Sequence, residues 1–141
     1  SAIFQTKGND TCHVILRGGS RTGPNYDAGH VQDACAKLKA AGLRESVMID
    51  CSHGNSEKDH RRQSVVAASV SDQVGSGSEQ IFGVMLESHL VEGRQDYKPG
   101  QAAVYGQSVT DACISFEQTE PLLEQLARAQ QARLAKRKSS R

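Results

Sequence analysis

Short apolar runs alternate along this chain with longer segments in which apolar residues recur every three or four positions. The apolar runs are HVIL at 13–16, VMI at 47–49 and IFGVML at 81–86. The segments with helical spacing are Asp27–Ala41, a stretch that begins near Ser56 with Asp59 three residues later, and a last one from about Thr119 to Leu134. The pattern therefore predicts a strand followed by a helix, three times over.

Repeated βα units are typical of a parallel sheet covered by helices. The three apolar runs contain almost no polar residues, which is typical of strands that are buried on both faces. The fold class that this pattern predicts is α/β, with a parallel sheet.

The two ends of the chain depart from this alternation. Two short β-prone runs, Ala2–Thr6 and Thr11–Leu16, flank Lys7-Gly8-Asn9-Asp10 and predict a hairpin before the first helix. The closing residues 136–141 are basic and predict a disordered tail. We therefore expect residues 1–135 to belong to a single domain.

Composition narrows the class of protein further. With 141 residues the chain is at most one domain, and a net charge of +1 gives no signal for binding nucleic acid. No apolar segment approaches the roughly 20 residues that a membrane span requires. The four cysteines are scattered without a CxxC pair, so we expect reduced thiols in a cytoplasmic protein.

Polar residues whose side chains could bind a ligand or a metal ion follow each of the three predicted strands. The first strand ends in Arg-Gly-Gly, the second in Asp-Cys-Ser-His and the third in Glu-Ser-His. The carboxyl ends of parallel strands meet at one edge of the sheet, where ligands bind in this class of fold. We therefore expect these side chains to lie around one site.

Four residues at these ends are candidates for binding. His53 and Glu87, joined by Asp111 from a later loop, would suit a divalent ion such as Mn²⁺, Fe²⁺, Co²⁺ or Zn²⁺. A loop histidine, a solvated strand-end glutamate and a capping aspartate are the structural alternatives. Arg17, which precedes two glycines whose backbone could approach a phosphate, is either an anion-binding residue or a surface arginine in a salt bridge.

Five longer stretches carry a resemblance to a known family. They are HVILRGG (13–19), PNYDAGHV (24–31), MIDCSHGNSEKDHRRQ (48–63), GVMLESHLVEGRQ (83–95) and YGQSVTDACISFE (105–117). Together they resemble class I 3-deoxy-D-arabino-heptulosonate 7-phosphate (DAHP) synthase, which folds as a (β/α)8 barrel and performs the first step of the shikimate pathway of aromatic amino acid biosynthesis. A complete barrel needs about 250 residues, so the resemblance implies the carboxyl-terminal part of one, with about three βα units plus the hairpin.

The resemblance implies roles for the candidate residues. His53, Glu87 and Asp111 match the family's metal ligands, and Arg17 matches an arginine that binds the anionic groups of phosphoenolpyruvate. The family's fourth ligand, a cysteine, belongs to the amino-terminal half and is assigned to none of the cysteines present. No residue that transfers protons can be assigned either.

The implied reaction condenses phosphoenolpyruvate with erythrose 4-phosphate and water to give DAHP and phosphate. The implied partners are these substrates, the amino-terminal half of the same enzyme and further copies in a homo-oligomer, with no nucleic acid and no membrane. Two alternatives stay open for the chain as it stands. Beside its interpretation as part of the catalytic enzyme, it could be a catalytically inactive fragment, or a regulatory or interaction module derived from that enzyme.

Overall fold

A computed structural model describes residues 2–139, and the α/β class predicted from the sequence is confirmed. The first part of the chain forms β1 (Val14–Leu16), α1 (Ala28–Ala40), β2 (Val47–Asp50), a 3₁₀ turn (His60–Arg62), α2 (Gln63–Gly75) and β3 (Ile81–Met85). The second part forms the short strands β4 (Ser88–His89), β5 (Val91–Arg94), β6 (Gln107–Ser108) and β7 (Ile114–Ser115), and then α3 (Phe116–Ser139).

The main sheet has the order β1-β2-β3, and both of its strand pairs are parallel. Ile49 in the central strand is in register with Leu16 on one side and Val84 on the other. Two smaller parallel pairs, β4 with β7 and β5 with β6, follow the end of β3. Because β1, β2 and β3 run the same way, their carboxyl ends form one edge of the sheet.

The apolar core lies between the sheet and its helices. Its buried side chains include Val47 and Ile49 from β2, Val66, Val70 and Val74 from α2, Ile81 from β3, and Leu122 and Ala129 from α3. Burial on both faces is therefore confirmed for the central strand. It is wrong for β1, where Val14 and Ile15 are 39% and 46% exposed, and for β3, where Phe82 is 42% exposed, because these two strands are the edges of the described sheet.

Helix α1 lies where the sequence predicted it. The Asp27 side chain accepts hydrogen bonds from the amides of Gly29 and His30 at the first turn. Gly42 follows the helix with a φ of +69°, a conformation that glycine adopts without steric cost.

The predicted hairpin is not formed. Within the described residues, 2–13 contain no strand, and the β structure begins only at Val14. The side chains of Ile3 and Phe4 are 101% and 88% exposed. An isolated hairpin needs a packing surface to be stable, and these side chains have none here.

Helix α2 begins seven residues later than predicted. Ser56 is buried and its hydroxyl donates to the carbonyl oxygen of His53, so it belongs to a tight loop and not to a helix cap. Glu57 and Lys58 have φ angles of +54° and +64°, which no right-handed helix accommodates. Asp59 instead accepts from the amide of Arg61 and caps the 3₁₀ turn.

Helix α3 is longer at both ends than the predicted segment. It continues through Lys136, Arg137 and Lys138, which we expected in the disordered tail, and the remaining residues 140 and 141 lie outside the described residues. The Arg137 guanidinium forms an ion pair with Glu79 at 2.9 Å, which fixes this end of the helix near the start of β3. Between residues 2 and 139, no helix is both long and apolar enough to cross a lipid bilayer.

Candidate metal centre

An open pocket of about 1220 Å³ lies at the carboxyl edge of the sheet. All four candidate residues line it: Arg17 follows β1, His53 follows β2, Glu87 follows β3, and Asp111 lies in the loop between β6 and β7. The structure therefore brings together side chains that are separated by as many as 94 positions in the sequence.

His53, Glu87 and Asp111 form a compact group of possible ligands. One ligand atom from each residue lies within 4.8 Å of those of the other two. The His53 Nε2 is 3.5 Å from the Glu87 Oε1. One imidazole nitrogen and two carboxylate oxygens at this spacing suit a divalent transition ion.

Asp50, the last residue of β2, orients the imidazole of His53. Asp50 is 4% exposed, with Oδ2 lying 2.8 Å from the His53 Nδ1 and Oδ1 accepting from the amide of Ser52. A carboxylate accepts only, so Nδ1 carries a proton, and Nε2 is the ring nitrogen left to face the pocket. His53 has a φ of +47°, a costly conformation for a non-glycine residue.

Glu87 is held at both its side chain and its backbone. The Ser52 hydroxyl donates to Oε2 at 2.8 Å, which leaves Oε1 toward His53. The fully buried side chain of Gln63 donates to the Glu87 carbonyl oxygen at 3.0 Å and accepts from its amide at 2.7 Å. The first residue of α2 thereby fixes the residue that follows β3.

The loop that carries Asp111 is tied to β5. The Arg94 Nε donates to the carbonyl oxygen of Thr110 at 2.9 Å, and Gly93 exchanges two backbone hydrogen bonds with Cys113. These contacts bracket Asp111 on both sides, although its own side chain is exposed to solvent.

Arg17 is exposed at the rim of the pocket. Its guanidinium has no hydrogen bond or ion pair with any residue between 2 and 139, so it is available to an anionic ligand. The sequence predicted that the backbone of the two following glycines could approach a phosphate, but both of their amides are already bonded within the protein. The amide of Gly18 donates to the side chain of Asn25 at 2.7 Å, and that of Gly19 donates to the carbonyl oxygen of Gly23 at 3.0 Å.

The sequence did not reveal the residues that support these groups. Four buried polar residues, Asp50, Ser52, Asn55 and Gln63, form what we call the pocket edge, and we assigned none of them a role. Ser52 lines the pocket, and the other three are hydrogen-bonded to His53, Arg17 or Glu87, which line it. Only the spacing of Asp50 and His53, three residues apart after a strand, offered a signal. His89 lies outside the pocket. Its interpretation as a loop residue was wrong, because it belongs to the short strand β4 and is in register with Ser115 of β7.

Cys51 lies next to Asp50 but does not belong to the group of possible ligands. Its thiol is fully buried. Burial and, to a smaller extent, the negative charge of Asp50 raise the pKa of this thiol to about 12. A thiol with this pKa stays protonated near neutral pH, which suits the space-filling role predicted for it.

Comparison with known proteins shows which family this chain belongs to. The family model described as "DAHP synthetase I family" matches residues 1–124. The chain belongs to the DAHP synthetase I family. The resemblance read from the five sequence stretches is thereby confirmed.

Individual members of the family are similar over almost the whole chain. Phospho-2-dehydro-3-deoxyheptonate aldolase of Haemophilus influenzae is 55% identical over 94% of this chain and 36% of its own length. The Phe-sensitive enzyme of that name from Escherichia coli K12 is 52% identical over 94% of this chain and 37% of its own length. A solved structure of the aldolase from Francisella tularensis aligns with a TM-score of 0.83 and 56% identity, covering 94% of this chain and 38% of that one. The chain thus spans little more than a third of the relatives it matches.

Proposed function

We propose that this chain is the carboxyl-terminal part of the (β/α)8 barrel of a DAHP synthase. The observation that carries the proposal is the convergence of His53, Glu87 and Asp111 at the carboxyl edge of a parallel sheet in a member of the DAHP synthetase I family. The parallel order β1-β2-β3, with helices that follow the strands, is the arrangement that a barrel segment requires.

In the proposed reaction, C3 of phosphoenolpyruvate bonds to the aldehyde carbon of erythrose 4-phosphate, water adds at C2, and phosphate leaves. Arg17 would hold the anionic groups of phosphoenolpyruvate, since its guanidinium lies at the end of β1 without a partner among residues 2–139 and matches bidentate anions. His53, Glu87 and Asp111 would hold a divalent ion, with Asp50 keeping the His53 lone pair directed into the pocket. Such an ion, when bound, supplies Lewis acidity toward a carbonyl oxygen.

Activity in this proposal belongs to the complete enzyme. The relatives' remaining length would supply the fourth ligand and the other phosphate-binding cations, and it would close the barrel beside β1. Residues 1–141 alone would then be inactive, because the described ligand group has three members and the outer edge of β1 lacks a partner strand among the described residues. The complete enzyme would be a homo-oligomer.

The test is steady-state kinetics of the full-length chain, by which we mean the complete enzyme that contains residues 1–141. The reaction is followed by phosphate release in the presence of Mn²⁺. Replacing Arg17 with Ala should raise the KM for phosphoenolpyruvate about 10- to 150-fold, the equivalent of one charged hydrogen bond. The KM for erythrose 4-phosphate should change far less. Arg128→Ala is the matched control, because that arginine pairs with Glu124 on the exposed face of α3, outside the pocket. An unchanged KM for phosphoenolpyruvate in Arg17→Ala would remove this residue from the substrate site.

A further inference from the structure

Asn55 connects the carboxyl ends of β1 and β2. Its side chain is fully buried, and Nδ2 donates to the carbonyl oxygens of Leu16 at 3.0 Å and Asp50 at 2.8 Å. Its Oδ1 accepts from the amide of Asn25 at 2.8 Å, and its own amide donates to the carbonyl oxygen of Arg17 at 3.1 Å. The hydrogen-bonding capacity of Asn55 is therefore used between the two strand ends, and the residue does not line the pocket.

The two loops that Asn55 joins also touch backbone to backbone. A Cβ on Gly18 would lie 2.6 Å from the carbonyl carbon of Gly54 and 2.7 Å from the amide nitrogen of Asn55. Gly18 also has a φ of +67°, which favours glycine. Arg17 lies directly before this contact on one loop, and His53 lies directly before it on the other.

We propose that Asn55 is a positioning residue that fixes the anion-binding Arg17 and the metal-binding His53 relative to each other; this inference rests on the proposed function. The Asn55 side chain is hydrogen-bonded to the backbone of Asn25, Leu16 and Asp50 and not to the side chain of Arg17 or His53, so the effect would pass through the backbone of the two loops. Removing the amide leaves the carbonyl oxygens of Leu16 and Asp50 buried without this donor, and such groups are costly to leave unpaired. The loops would then shift or separate to reach water, and both binding groups would move with them.

This role differs from a purely structural one in what it changes. A residue that merely stabilises the fold would lower the unfolding temperature and leave the affinities of the folded protein unaltered. A residue that binds one ligand directly would weaken that ligand above all. A shared positioning residue would weaken two ligands that it does not touch, in a chain that is still folded.

The experiment uses the full-length chain, freed of metal, with Mn²⁺ and phosphoenolpyruvate as separate probes in isothermal titration. In Asn55→Ala we expect both dissociation constants to rise, each by about 10-fold, the lower end of the effect of changing residues that orient metal ligands. Val74→Ala is the control. Val74 is a buried residue of α2 that does not line the pocket, so its truncation should destabilise the core without changing the pocket. It should leave both dissociation constants within about 2-fold of the wild type.

Asn25→Ala provides a second variant if Asn55→Ala does not fold. The Asn25 side chain accepts from the amide of Gly18, so its loss should weaken phosphoenolpyruvate binding by about 10-fold and Mn²⁺ binding by less. Unchanged affinities in the folded variants, or equal losses in Val74→Ala, would overturn the inference while leaving the proposed function intact. A wild-type chain that binds neither probe would overturn the proposed function and this inference with it.

Discussion

Two buried regions of this molecule are held together by different forces. The helix-packed core consists of Val66, Val70 and Val74 of α2 with Leu122 and Ala129 of α3, whose side chains are all apolar. The pocket edge consists of Asp50, Ser52, Asn55 and Gln63, which are equally buried but joined by directed hydrogen bonds. The helix-packed core lies between the sheet and its helices, and the pocket edge lies at the carboxyl ends of the strands.

The difference between them indicates where function is located. Apolar burial stabilises a fold without specifying where any single atom lies, so it tolerates changes of side-chain shape. Buried polar groups are costly unless every one finds a partner, and the network at the pocket edge fixes His53 and Glu87 at defined positions. Such cost is expected where geometry matters more than stability.

The largest effect on stability should come from the helix-packed core. Val70→Ala removes two buried methyl groups from α2 and leaves a cavity, so the free energy of unfolding of the full-length chain should fall by about 2–3 kcal/mol. Chemical denaturation measures this loss. The affinity for Mn²⁺ should stay within about 2-fold of the wild type. A large fall in metal affinity would show that the two regions are not independent.

A smaller effect should come from Glu92, whose carboxylate bonds to His60, a residue that lines the pocket. A hydrogen bond from Arg61 and, to a smaller extent, one from His60 lower the pKa of Glu92 from 4.5 to about 2. Because the folded pKa lies below the unfolded one, the stability that Glu92 contributes is present above pH 4.5 and is lost as the pH falls toward about 2. The side chain is 32% exposed, so water weakens the contribution.

The measurement is thermal unfolding of the full-length chain between pH 7 and pH 2.5, with wild type and Glu92→Gln compared. The variant should be somewhat less stable at neutral pH, and the difference should shrink as the solution is acidified. A difference that grows on acidification would contradict the direction of the pKa shift.

The helix-packed core was the more predictable region. Val66, Val70 and Val74 recur every four residues in the second segment with helical spacing, and all three are buried in α2. The apolar run at 81–86 gave β3 to within one residue at each end. These patterns are local and periodic, so a single sequence reveals them. Where no packing partner was present, as for residues 2–6, the same propensity reasoning predicted a strand that does not form.

The pocket edge was predictable only in outline. Parallel topology was enough to expect Arg17, His53, Glu87 and Asp111 at one edge, because strand ends converge there. The pairing of Gln63 with the Glu87 backbone joins residues 24 positions apart, and no spacing rule anticipates it. The loop before α2 was also missed, because its left-handed residues Glu57 and Lys58 resemble a helix start in sequence.

The most direct test of this account is Mn²⁺ binding to the full-length chain, measured by electron paramagnetic resonance after removal of metal. We expect the wild type to bind the ion and His53→Ala to bind it at least about 100-fold more weakly, since a ligand is lost and not merely its orientation. His89→Ala is the matched control, because this exposed histidine lies outside the pocket and should leave the affinity unchanged. Wild-type affinity in His53→Ala, or an equal loss in His89→Ala, would contradict the assignment of the metal centre to the carboxyl edge of the sheet.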